Sequence, residues 1–564
     1  VRWKELQPSN FFEADHQLVR LLTRFMDPKR FAKRRAHFNH FGQIVAGPLD
    51  EASQINNRPH NLPRLERWSA IGERIEAIEH HPTYDACGEA IYGDGRVIAA
   101  YGEPEPNLTA QALFYISSHV GEAGHNCPVA CTAGVAKILS SVASDELKEA
   151  YLSRVLTASW KEGFTGAQFL TEVQGGSDVG ANDVEATPDG EGFGTTRWRI
   201  HGEKWFCSNA DADLILMTAR PKDAPRGTKG LGLFLVPRRL ENGDANHYSL
   251  RRLKDKLGTR SMASGEIDFN GAIAYAMGPV EQGFGAVMTH VISTSRLYNT
   301  VGCAGITRRA YLVASAYTKA RRAFGTSIDA FPLVAEMMAN LRSQSQALTA
   351  GALTLASLYD KAESGDLDEG RLAFLRVATN LAKLRSCQHS HRAVLTAIET
   401  LGGNGAIESF SVLPRLLRDN VVYENWEGTH NVLIAQTVRD FGRLGLHQGF
   451  ISELRSRLER IPEDLRSALE PAIVRLNEAE AGVGSALKET NPGVAALRLR
   501  IHVEALADVF FAFALAEDIA TEQDASRRED ETALLEHFTK TWLMEANEAR
   551  DEAYQDRIRR IADF

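Results

Sequence analysis

Residues 399–431 read ETLGGNGAIESFSVLPRLLRDNVVYENWEGTHN, and near the end of this stretch an acidic residue, Glu427, stands between a tryptophan and a Gly-Thr pair, just ahead of an apolar run. A carboxylate so placed can be a helix N-terminal acid, an ion-pair partner, or a base held in an apolar pocket. Gly402, Gly403 and Gly405 permit close backbone approach, but no strand-like run precedes them as a dinucleotide fingerprint requires. The remainder of the chain has to decide among these readings.

Working outward, the chain has 564 residues, too many for one ordinary core, so several domains are expected. The 64 Lys and Arg against 73 Asp and Glu give a net charge of −9, which supplies no general attraction for nucleic-acid phosphates or anionic lipid. Six scattered cysteines do not form a disulfide framework. Cys127 and Cys131, with His125 nearby, fall short of a closed zinc site, so no metal is expected. The first residues lack a secretory apolar core, and no run is long enough for a membrane span. The expectation is therefore a cytoplasmic protein.

Residues 1–165 read mostly as helices and loops. From 166 to 284, short runs such as TTRWRIHG, ADLILMTA, LGLFLVP and GEIDFNG read as strands. A helical period returns over 285–440, where Val334, Met338, Leu341, Leu348, Ala352 and Leu355 form a stripe. A helical extension follows over 441–564. Its patch VFFAFALA at 509–516 must pack on the bundle or on another subunit.

Three further stretches carry candidate chemistry. QFLTEVQGGSDVG at 168–180 combines small residues with the hydroxyls of Thr171 and Ser177. IHGEKWFCSNA at 200–210 runs from a strand pattern into Trp205 and Phe206. RRAFG at 321–325 reads as part of the helical stretch that starts near Arg296. Each alone is most simply a turn, core or ion-pair element.

Taken in order, TEVQGGSDV, KWFCSN, RRAFG, LGGNG and WEGT resemble the acyl-CoA dehydrogenase family of FAD enzymes across roughly residues 85–440. LKDKLGTRS at 253–261, the Cys-Pro pair at 127–128 and the C-terminal extension are similar to its AidB-like, alkylation-response branch. The resemblance implies a multidomain α+β fold: an N-terminal helical domain (1–165), a central β-barrel-like domain (166–284), a helical bundle carrying the catalytic glutamate (285–440) and an extra helical domain (441–564). It makes Glu427 the base that takes the α-proton of an acyl-CoA thioester. Burial beside Trp426 and the acyl chain should raise its pKa toward that task.

By the same resemblance, Gln168, Leu170, Thr171, Ser177, Phe206, Ser208, Gly402, Gly403, Thr429 and Asn431 contact FAD, while Arg321 and Phe324 reach the FAD of a neighbouring subunit, implying a homodimer or homotetramer. Ser177, Ser293, Arg296 and Gly428 border the acyl-CoA. Pro332 and Glu399 stand where many members have glutamines, so the adenosine half of FAD is expected to be held differently. An electron-transferring flavoprotein is the implied electron acceptor. Two other readings compete, a DNA-associated protective flavoprotein and an acyl-CoA-binding sensor without turnover. Residues 441–564 hold 16 Lys and Arg against 24 Asp and Glu, which disfavours DNA.

Overall fold

The computed structural model describes residues 3–544 and 552–563. The chain forms two compact units, one built from residues 1–47, 107–121 and 299–564, the other from 48–106 and 122–298. In order along the chain, an N-terminal helical part is followed by a central barrel and then by C-terminal helices.

The first unit is helical. Its two longest helices, Pro332–Glu363 and Glu369–Thr400, have 32 residues each, with Pro332 at the first helical position of one and Asp368 accepting from the Arg371 N–H at the start of the other. Every residue from 341 to 359 is buried, more than the single heptad stripe expected from the sequence. The reason is that helices pack around Pro332–Glu363 on all sides. Glu369–Thr400, Pro492–Ile519, Ala525–Leu543, Glu552–Asp563 and the N-terminal helix His16–Phe25 all contact it.

The apolar patch of the extension accounts for part of this. Val509 to Ala516 are at most 1% exposed, and Phe510 meets Phe374 edge-on at 5.7 Å. A Cβ at Gly351 would lie 2.4 Å from the Phe511 ring, so glycine is what lets the two helices approach. The extension therefore packs on the bundle of its own chain, each buried Phe contributing on the order of 1.5–3 kcal/mol. Arg20 ties the N-terminal helix to the same extension through Asp518 at 2.7 Å, Glu522 at 2.5 Å and Glu531 at 2.8 Å.

The second unit is organised around a barrel. A hairpin of β1 (Arg64–Trp68) and β2 (Arg74–Glu79) precedes it. The barrel strands are β3 (Gly166–Phe169), β4 (Glu185–Gly192), β5 (Thr195–Ser208), β6 (Leu214–Pro221), β7 (Gly232–Pro237), β8 (Tyr248–Leu253) and β9 (Ser264–Ala276). Pairings β6–β4, β4–β5, β5–β9, β9–β7 and β7–β6 close a ring of five, with β3 added to β6 and β8 to β9.

Alternation explains the reading of β5. In β5, Trp198 and Ile200 enter the core while Arg197 and Arg199 face Asp189 at 3.2 Å each. The hairpin β1–β2 is a departure from the helices and loops expected over 1–165. Its residues are mostly charged and exposed, and only Leu65 and Ile78 pack on the barrel core, so it lacks a strong period-2 signal.

RRAFG also departs from its expected helical setting. The helix Ser293–Ala320 ends before it, and Arg322–Ala323 (β10) pairs with Thr326–Ser327 (β11) across a two-residue turn. Phe324 and Gly325 at that turn have φ of 50° and 90°, the left-handed pair that a tight hairpin demands. No helix among the described residues is long and apolar enough to cross a membrane, and all six cysteines are buried.

Candidate active site

Glu427 lies in the first unit, in the turn between helix Leu413–Asn425 and helix His430–Leu444. It is half-buried, with φ of 57°, and Gly428 follows at φ of 103°. A glutamate in the left-handed region is unfavourable by roughly 1–2 kcal/mol, and such outliers concentrate where function requires them.

Several neighbours enforce the turn. The buried Lys383 ammonium donates to the backbone carbonyls of Glu424 at 3.0 Å and Gly428 at 2.8 Å, clamping the chain on both sides of Glu427. Trp426 donates its indole N–H to Asn299 Oδ1 and packs edge-on against the buried Tyr423 at 4.7 Å. A Cβ at Gly302 would lie 2.9 Å from the Tyr423 ring, so that helix must stay small there. Beside the turn, Glu424 pairs with His391 at 2.8 Å and His430 at 3.8 Å. Partial burial pushes the Glu424 carboxyl up, but the two imidazoles outweigh it and hold the group at about 2.

The same unit holds Gly402 and Gly403, both exposed in a short turn after helix Glu369–Thr400, together with Thr429 and Asn431 at the start of helix His430–Leu444. Thr429 makes no capping hydrogen bond, which leaves that helix start open to a ligand oxygen. Arg321 is exposed, and Phe324, 97% exposed, projects from its hairpin turn.

The second unit carries the remaining candidates. Gln168 on β3 is half-buried. Its amide donates to Cys131 O at 3.3 Å and accepts from the Ser295 hydroxyl at 3.3 Å, beside the buried Arg296 and half-buried Ser293. Leu170 and Thr171 follow, half-buried, and Thr171 O accepts from Trp205 N at 3.0 Å, joining the first motif to the second. A Cβ at Gly176 would lie 2.5 Å from Thr171 Oγ1, and the following Ser177 is exposed. Pairing of β5 with β9 slips between Lys204 and Cys207, and the bulge turns Phe206 outward to 52% exposure beside half-buried Ser208. Lys254, from LKDKLGTRS, lies 3.5 Å above the Trp205 ring.

Two groups inside these motifs went unassigned in the sequence reading. Lys204 is fully buried and pairs with Glu172 at 2.8 Å. The same carboxylate accepts the backbone N–H groups of Asp183 at 2.7 Å and Val184 at 3.3 Å. This pair staples TEVQGGSDV to KWFCSN. Lys383 was missed as well. The available signal was a lysine among Asn380, Leu381, Ala382, Leu384 and Cys387 on a helix, with Arg385 the one other charge between Asn380 and Cys387.

Family models match in consecutive segments: the Adaptive response protein AidB N-terminal domain over residues 2–162, the Acyl-CoA dehydrogenase middle domain over 167–272, and the Acyl-CoA dehydrogenase C-terminal domain over 281–441. The putative acyl-CoA dehydrogenase AidB of Escherichia coli is 30% identical over 390 residues, 67% of this chain and 69% of that one. The chain belongs to the acyl-CoA dehydrogenase family. Acyl-CoA dehydrogenase family member 11 of Caenorhabditis elegans is 29% identical over 498 residues, 85% of this chain and 77% of that one. The structure of ACDH-11 from the same organism in complex with C11-CoA superposes with a TM-score of 0.84 at 25% identity, covering 96% of this chain and 93% of that one.

Acyl-CoA dehydrogenases use FAD, and the residues present fit it. The exposed Phe206 face beside the Ser208 hydroxyl suits a flat ring with polar edges. The loop at Gly175 and Gly176, with φ of 132° at Gly175, leaves backbone room for a diphosphate.

Proposed function

We propose that this acyl-CoA dehydrogenase removes the α-proton of an acyl-CoA thioester with Glu427, so that a Cα–Cβ double bond forms as the Cβ hydride leaves. FAD, when bound, supplies the hydride acceptor. The left-handed turn at Glu427, clamped by Lys383, is the observation that carries this reading. A carboxylate held on a fixed backbone can meet the same substrate proton each turnover.

The backbone N–H of Glu427 donates to the thioester carbonyl as negative charge gathers there, and Gly428 leaves room for the acyl chain. Ser293 and Arg296 flank the pantetheine, and Ser177 borders both the CoA arm and FAD. Gln168, Leu170, Thr171, Phe206, Ser208, Gly402, Gly403, Thr429 and Asn431 hold FAD. Arg321 and Phe324 reach the FAD of a second copy, in a homodimer or homotetramer, and electrons pass on to an electron-transferring flavoprotein. We assign the domains to residues 1–165, 166–284, 285–440 and 441–564. The C11-CoA complex of the nematode relative supports the ligand class.

The AidB-type N-terminal match favours a second reading, a DNA-associated flavoprotein, but the acidic 441–564 extension opposes it. The deciding experiment is anaerobic stopped-flow reduction of the yellow enzyme by acyl-CoAs of graded length, with Glu427→Gln alongside. The parent should bleach and the variant should bind FAD and acyl-CoA yet bleach on the order of 10²–10⁴ more slowly. A variant as fast as the parent removes Glu427 as the base. A parent that binds acyl-CoA without bleaching is a sensor.

A further inference from the structure

A cavity in the first unit, of about 310 Å³, contains none of the residues assigned above. Its walls come from the ends of five helices. His16–Phe25 contributes Arg24, Pro332–Glu363 contributes Lys361, and Glu369–Thr400 contributes Arg371. Leu446–Arg460 adds Arg457 and Arg460. Against these five cations the walls hold two carboxylates, Glu453 and Glu517, the latter from Pro492–Ile519.

Both carboxylates are already shared. Glu517 Oε2 lies 3.0 Å from Arg24 Nη2 and 3.0 Å from Arg457 Nη1. Glu453 faces Arg457 and Arg460 at 3.2 Å each, and Arg371 at 3.6 Å. The concavity is left with an excess of three positive charges. Arg457 is only 4% exposed, and a charge that deep is retained where something neutralises it.

Three buried donors on the walls have no hydrogen-bond partner, Arg24 Nη1, Arg457 Nε and the Thr354 hydroxyl. A buried guanidinium nitrogen left open is costly, and an anion satisfies it. One acceptor, Glu517 Oε1, is open too, which suits a ligand carrying a hydroxyl next to its anionic group. Guanidinium groups match the spacing of phosphate oxygens, and Lys361 adds a point charge.

We propose that this cavity binds a small phosphate-bearing ligand, its phosphate seated against Arg24, Arg457 and Lys361, at a site separate from the acyl-CoA and flavin residues. The test is isothermal titration of the full-length enzyme, saturated with FAD and acyl-CoA so that those phosphate sites are filled. Inorganic phosphate, pyrophosphate and glycerol 3-phosphate serve as probes. Saturable binding is expected, weakened roughly 10- to 100-fold by Lys361→Gln and by Arg24→Gln.

Lys361 makes no ion pair among the described residues, so its variant keeps the network above intact if Arg24→Gln fails to fold. Tighter binding of glycerol 3-phosphate than of inorganic phosphate identifies an organic phosphate, and the reverse identifies the free ion. Absence of saturable binding up to roughly 10 mM of any probe, above the millimolar range of weak specific sites, overturns the proposal. Equal affinity in the parent and the Lys361→Gln variant overturns it as well.

Discussion

Lys204→Met tests whether the buried staple, rather than the loop sequence alone, shapes the loop proposed to hold flavin. In the parent the ammonium reaches Glu172 Oε1 at 2.8 Å and Leu170 O at 3.3 Å, with both side chains almost wholly out of water. Methionine fills the volume but strands the carboxylate. Glu172 keeps Asp183 N, Val184 N and the Gln174 amide, three dipoles and no countercharge. Removing one member of a buried pair costs about 3–5 kcal/mol.

The double variant Lys204→Met/Glu172→Gln removes the stranded charge while an amide oxygen can still accept from the loop. It should recover about half of that loss, since neutral bonds are roughly half as strong as charged ones. Urea denaturation followed by tryptophan fluorescence measures the stability, and the ratio of flavin to protein absorbance reports the loop. We expect Lys204→Met to shift the midpoint and shed FAD, because the Leu170 carbonyl loses its charged donor and Glu172 its countercharge. If the single variant keeps both its midpoint and its flavin, or if the double variant is worse than the single, the staple is not what sets the loop.

Three further outcomes follow from particular contacts. Lys383→Met should retain FAD yet lower kcat by roughly 10- to 100-fold, because two carbonyls flanking Glu427 lose a charged donor; kcat and KM measured on flavin-loaded protein check it. Phe324→Asn should leave stability equal or up to about 1 kcal/mol higher, since asparagine tolerates the left-handed turn. It should also reduce flavin retention and assembly size in analytical ultracentrifugation, and no change in either removes Phe324 from the interface. The stability difference between parent and Glu424→Gln should be largest between about pH 4.5 and 6.5. It should shrink as pH falls toward 2, where the depressed Glu424 protonates, and as pH rises past the raised pKa of His391, where the imidazole loses its charge. Urea midpoints across that range measure it, and a difference that grows below pH 4 contradicts the pairing.

Motif order made the family legible in the sequence, because each short motif is local and its residues are constrained by what they touch. Three of the five motifs hold a non-glycine residue with positive φ, namely Asn209, Phe324 and Glu427. Asparagine there is an ordinary choice. Phenylalanine and glutamate are not, so at those two positions the side chain outweighs the backbone preference. The strands of the barrel were readable in two ways, β5 by its alternation and β6 and β7 as continuous apolar runs, since both faces of those two strands are buried.

What stayed hidden is non-local. Lys383 acts on carbonyls 41 and 45 residues away, and Lys204 on a carboxylate 32 residues back. A lysine in sequence looks the same whether it ends in solvent or on a buried acceptor. The all-round burial of helix Pro332–Glu363 depends on helices more than 100 residues downstream, which no window over that helix contains. The hairpin β1–β2 was obscured for the opposite reason, because a strand pair that buries only Leu65 and Ile78 has little apolar period to display. The candidate residues Phe324 and Glu427 therefore break local rules, while a buried lysine such as Lys383 obeys them and becomes visible only once the fold has brought distant segments together.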